Sequence, residues 1–66
     1  MIQISVNGEP RSVEANGLMG LILAASPSGK GIAVALNLAV VPRSQWSEVS
    51  LAAGDELELL TAAAGG

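Results

Sequence analysis

These 66 residues contain no cysteine and only one aromatic side chain, Trp46. That absence constrains the fold more than any motif does. At this length only about 60% of the unfolded chain's surface is buried on folding, and many small domains add disulfides or a structural metal. Neither a disulfide framework nor a thiolate metal site is open here. Cohesion has to come from a dense core of Ile, Leu, Val and Ala, in a chain that is 50% hydrophobic.

The apolar residues fall into short periodic runs. "IQISV" alternates strictly, with Ile2, Ile4 and Val6 on one face, which predicts a half-buried strand. Asn7-Gly8 comes next, a strong hairpin signal because a type I′ turn needs positive φ at both central residues. The return strand is "PRSVE", with Val13 inward; Pro10 has no N–H to donate, so this strand belongs at a sheet edge. In "LMGLILAAS", Leu18, Leu21, Ile22 and Ala25 share one helical face. Asn16 or Gly17 would cap that helix and "SPSGKG" would end it. Its opposite face, with Met19, Gly20, Leu23 and Ala24, is unusually apolar for a surface helix.

Alternation returns in "IAVALN", where Ile32, Val34 and Leu36 form the heavier, inward set. "LAVV" would be its neighbour, halted by Pro42, and "RSQW" a short turn that tucks Trp46 into the core as an anchor. "GDELELL" reads as the last strand, with Leu57 and Leu59 facing in and Glu56, Glu58 and Leu60 facing out. One sheet with one helix across it lets each greasy side bury the other. The expected class is α+β, a mixed sheet of four to five strands in a β-grasp (ubiquitin-like) roll. In that topology the last strand lies centrally, parallel to the first. Residues 1–60 would be a single domain and 61–66 a flexible Gly-Gly tail.

Composition excludes several functions. With 3 basic and 6 acidic residues, the net charge is −3. No basic patch or aromatic platform is available for nucleic acid, so no nucleic-acid partner is expected. A basic protein surface would suit it better. No apolar run approaches the ~20 residues of a membrane span. "MIQISVNGEP" has no signal-peptide pattern, so the expected location is cytoplasmic, without a membrane partner. His, Cys and Tyr are absent, which removes the usual general base, thiol nucleophile and phenol. The chain is not expected to be an enzyme, and no catalytic or metal-binding residue is assigned.

What chemistry remains lies in "TAAAGG", residues 61–66. It reads either as a frayed end or as the working part of the molecule. A glycine carboxyl carries no side chain to hinder attack, and Gly65-Gly66, preceded by Ala63 and Ala64, could thread a narrow channel. At neutral pH the α-carboxylate is an anion and a poor electrophile. It would need activation, most simply as an acyl-adenylate, after which a sulfur or amine nucleophile could expel AMP. Glu56 and Glu58 read foremost as a solvated strand face. Leu60 beside them, with Ala33 and Ala35 on the same face, would form a small patch at the root of the tail where a partner could dock. Lys30 lies in a loop with nothing apolar to lower its pKa, and "GKG" lacks the spacing of a phosphate loop.

The stretch "AVALNLAVVPRSQW" (33–46), followed by "LAAGDELELL" and "GG", resembles the sulfur carriers of thiamine biosynthesis, the ThiS family. "ISVNGEP" also suits that family, and the resemblance spans essentially the whole chain. It implies that the Gly66 carboxylate is adenylated by a ubiquitin-activating-enzyme-like adenylyltransferase using ATP and magnesium. A sulfur donor system drawing on cysteine then converts it to a thiocarboxylate, and thiazole synthase takes the sulfur. The chain itself would bind no cofactor. Departures from the family pattern are the apolar outer helix face, Leu38 and Ala39 in a turn where glycine or a polar residue is usual, and alanines before the glycines. Two other readings stay open: the small subunit of molybdopterin synthase, which also ends in Gly-Gly on this fold, and a protein modifier or plain interaction module.

Overall fold

The computed structural model describes residues 1–61. Strands β1 (Ile2–Val6) and β2 (Glu9–Val13) form the expected hairpin, followed by helix α1 (Leu18–Ala25). Strands β3 (Ile32–Leu36) and β4 (Ala39–Val40) form a second hairpin, a 3₁₀ segment spans Arg43–Glu48, and β5 is Glu56–Thr61. The sheet order is β2-β1-β5-β3-β4. β5 is central, parallel to β1 and antiparallel to β3. This is the mixed five-stranded sheet with one helix expected of a β-grasp roll.

Both hairpins reverse through residues with positive φ. Asn7 and Gly8 sit at 52° and 83°, and Asn37 and Leu38 at 50° and 71°. The right-handed twist of paired strands selects such turns, and asparagine tolerates the left-handed region better than most residues. Leu38 does not. In that conformation Cβ crowds the following carbonyl, at roughly 1–2 kcal/mol. The turn therefore falls at 37–38 rather than 38–39, and Ala39 already belongs to β4. Pro10 lies on the edge strand β2, where the proline nitrogen breaks no central ladder.

The core forms where the inward sheet face meets α1. Ile4, Leu18, Ile22, Val34 and Leu57 are essentially inaccessible. Trp46 is also buried, and its Nε1 donates to the Val41 carbonyl at 3.0 Å. The Arg43 guanidinium lies 5.6 Å from the Trp46 ring centroid, as a cation on an aromatic face. Leu51, unremarked in the sequence, is buried as well, and its N–H bonds the Ala15 carbonyl at 2.7 Å.

Of the two residues expected to cap α1, Gly17 occupies the cap position, with no side-chain hydrogen bond. A Cβ there would stand 3.0 Å from the Glu14 carbonyl oxygen, a close backbone approach that suits glycine. Ala25 is exposed, because the helix stops there after 8 residues and has no further turn to press that position onto the sheet. Ser26 is buried instead, and its Oγ donates to the Lys30 carbonyl at 2.7 Å. Finally, Thr61 is the last residue of β5, paired with Ile32, rather than the first residue of a tail.

The outer face of α1 is as apolar as its sequence suggests, with Met19 and Leu23 partly exposed. Stability therefore rests on the inner face. Ile22→Ala should lose about 2–5 kcal/mol, a large part of the roughly 3–10 kcal/mol available to a chain of this size. Urea unfolding followed by Trp46 fluorescence measures it; a loss below about 1 kcal/mol would contradict a core centred on this residue.

Candidate functional site

The outward side of β5 carries the residues singled out in the sequence. The alternation of Glu56, Leu57, Glu58, Leu59 and Leu60 places the two buried leucines under α1 and turns both glutamates and Leu60 to solvent. The β3–β5 register sets Ala33 opposite Leu60 and Ala35 opposite Glu58. Cross-strand partners lie about 4.5–5.5 Å apart at Cβ, so the structure brings Leu60, Glu58, Ala33 and Ala35 onto one patch. Glu56 lies at its near end. Gly66, Gly65, Ala64 and Ala63 lie outside the described residues.

Two contributors to this patch were not foreseen. Leu38, at 85% exposed, and Val40, at 78%, project from the second hairpin. Together with Ala33, Ala35, Glu58 and Leu60 they line a mainly apolar hollow of about 260 Å³. Only the unusual turn "NL" hinted at it: a leucine where glycine is favoured gains nothing from burial and keeps its backbone strained. The patch is thus a strip of alanine floor with leucine and valine walls and a carboxylate at one side. It offers apolar contact and a single negative charge at its edge, from Glu58.

β5 is also gripped by the side chains of both turn asparagines. Asn37 Oδ1 accepts the Glu56 N–H at 2.9 Å, and its Nδ2 donates to Asp55 Oδ1 at 3.0 Å. Asn7 Oδ1 accepts the Leu59 N–H at 2.9 Å, and its Nδ2 donates to the Leu59 carbonyl at 3.2 Å. Neither bond set was legible from spacing, because each asparagine already had a sufficient local explanation as a turn former. Lys30 sits in the loop after α1, exposed, as expected. Among the described residues, no group of three or more His, Cys, Asp or Glu is placed to hold a metal ion. No described helix is long and apolar enough to cross a membrane.

A five-stranded mixed sheet with a central last strand and one crossing helix defines a ubiquitin-like β-grasp protein. A sequence model of the ThiS family matches residues 4–66. The chain is also similar to a solved structure, the thiamine biosynthesis protein (ThiS) from Geobacter metallireducens. The two are 27% identical, with a TM-score of 0.69 over 98% of this chain and 100% of that one. Among curated proteins none matches the chain. With a family match over nearly its whole length, the chain belongs to the ThiS family.

Asp55 links the start of β5 to the rest of the site. Its carboxyl accepts the Ala52 N–H at 2.8 Å and a bond from Asn37, and these hold its pKa below the ordinary carboxylate value, with the backbone bond the larger cause. A carboxyl whose folded pKa is depressed adds stability above its unfolded pKa of about 3.9 and loses it as pH falls through the folded value. Unfolding midpoints should therefore be flat above about pH 5 and fall below about pH 4, and Asp55→Asn should flatten part of that fall. An unchanged acid limb in the variant would remove Asp55 from the account.

Proposed function

We propose that this chain is a sulfur carrier in thiamine biosynthesis, a protein co-substrate whose reactive group is the Gly66 carboxylate. The observation that carries the reading is the family match, which runs through the glycine pair to residue 66. The fold supports it, since the central strand of the sheet leads directly into residues 62–66.

The chemistry needs little from the chain itself. A carboxylate oxygen of Gly66 attacks the α-phosphorus of ATP, and pyrophosphate leaves. The resulting acyl-adenylate is a good electrophile; hydrosulfide from the sulfur donor system attacks its carbonyl carbon, and AMP leaves with the C–O bond broken. At thiazole synthase the C–S bond of the thiocarboxylate is broken as its sulfur passes to the acceptor. An oxygen from water or that acceptor takes its place, so the plain carboxylate returns. ATP and magnesium are bound by a ubiquitin-activating-enzyme-like adenylyltransferase, and the need for ATP fits a cytoplasmic exchange. Ala63, Ala64 and Gly65 pass through the partner's channel, where small side chains are the requirement. Leu60, Ala33 and Ala35 dock the partner, with Leu38 and Val40 extending the contact. Glu56 and Glu58 orient it toward basic groups, which serves association rate and register more than raw affinity.

Incubation with ATP, magnesium, a sulfur source and the thiamine-pathway adenylyltransferase should raise the intact mass by the replacement of one oxygen by sulfur. Deletion of Gly66 should abolish that shift. No shift, with the enzyme active on its own carrier, would overturn the reading and bring forward a molybdopterin-type carrier or a modifier.

Leu38 tests the docking face separately. Leu38→Gly relieves the strained turn, gaining up to about 1 kcal/mol after the extra freedom of glycine in the unfolded chain is set against it. The same change removes a leucine whose burial at an interface contributes about 1.5–3 kcal/mol, so KM for the adenylyltransferase should rise at least about tenfold. A variant that is more stable and docks equally well would remove Leu38 from the interface.

A further inference from the structure

Asn7 does more than reverse the chain. A type I′ turn is equally well served by aspartate or glycine at that position. What sets this residue apart is where its carboxamide goes: it donates to the Leu59 carbonyl and accepts the Leu59 N–H. The carboxamide thus replaces two successive ladder bonds, one accepted and one donated, that β1 would make to Leu59 if it continued parallel to β5. β1 itself pairs with β5 only at Ser5↔Glu56 and Val6↔Leu57. The Asn7 N–H still reaches the Leu57 carbonyl, at 2.9 Å, and then the hairpin carries the backbone away. On the opposite flank, β3 accompanies β5 as far as Ile32↔Thr61. Among the described residues, no strand lies beside Glu58–Thr61 on the β1 side.

A single side chain therefore provides the second flank of β5 where the strand runs out toward residue 62. There is room for the strand to move if that flank is lost. Hollows of about 510 Å³ and 360 Å³ open beside this point, bordered by Ser5, Gly8 and Glu58 in the first and by Arg11, Leu21 and Thr61 in the second. Asn7 lines both of them.

We propose that Asn7 is a positioning residue for the carrier reaction, its carboxamide fixing the direction in which β5 delivers the segment that ends at Gly66. The inference rests on the carrier reading above. Docking through Ala33, Ala35, Leu38 and Val40 involves β3 and β4, and Leu60 is held from the β3 side by its pairing with Ala33, so loss of the carboxamide leaves the docking face in place. The carboxylate would reach its reacting partner in a productive pose less often, and misplacement of a reacting group lowers the rate of the chemical step.

The test uses the full chain with Asn7→Gly, which keeps a turn-compatible residue and deletes only the carboxamide. Amide exchange at Leu59 should accelerate about tenfold, as expected for one lost hydrogen bond, with the β3 amides unchanged. Steady-state adenylation, followed as pyrophosphate release with the chain as the varied substrate, should show kcat down about tenfold and KM unchanged. Asn7→Asp retains the acceptor for the Leu59 N–H and loses the donated bond, so it provides a second folded variant and should not restore kcat. A wild-type kcat in either folded variant overturns the proposal. So does a rise in KM alone with faster exchange across the whole sheet, since partial unfolding lowers the concentration of competent carrier without changing its saturated rate. Failure of the wild-type chain to be adenylated would instead overturn the carrier reading, and this inference with it.

Discussion

Backbone pairing on both flanks of β5 is the interaction on which the rest of the structure depends. β1 and β3 are held apart by this strand and bonded through it, so neither hairpin meets the other directly. Parallel pairing between β1 and β5 cannot be closed by a tight turn, and it demands a long crossover. The residues in between supply one, and α1 lies within it. The helix is thus placed over the sheet by topology, and Leu18 and Ile22 then meet Leu57 and Ile4 in the same buried layer. Side-chain packing is set by a hydrogen-bond pattern that spans most of the sequence.

The inside and outside of that sheet have different tasks. Inside, neither the aliphatic core residues nor the one tryptophan has a positive φ, and no buried side-chain nitrogen or oxygen among the described residues lacks a partner. Outside, Leu38 is held at positive φ and left to solvent. Local agreement between sequence and structure is the rule in stable folds, and departures tend to gather where something other than stability is at stake. Leu38 is such a departure, and it borders the same hollow as Leu60.

Much of this was legible in the sequence because it rests on period-two and turn signals. The alternation of "IQISV" and "ELELL" set which residues face the core, and Asn7-Gly8 fixed the first hairpin. Their combination led to a central last strand, and from there to the outward set of Leu60, Glu58, Ala33 and Ala35. The rest depends on information that periodicity does not carry. Ala25 fits the helical face but is exposed because the helix ends there, and a helix end is decided by the turn residues beyond it. The turn at Asn37-Leu38 lacks the glycine that marks most such turns, so its place was off by one residue. The asparagine bonds to Leu59 and Glu56 span 52 and 19 positions, and no local rule reports contacts at such separation.

The central place of β5 also bears on how the protein is made. Contacts between β1 and β5 join residues about 51 positions apart, such as Ser5 and Glu56, and folds dominated by distant pairings close late and slowly. During synthesis the two hairpins and the helix emerge first, with their inward faces lacking the strand that joins them. The native sheet becomes available only when residues 56–61 have left the ribosome. A chain broken off before β5 lacks the middle of its sheet. Early termination therefore leaves two hairpins and a helix with nothing to join them, and no shortened version of this fold is open to the chain.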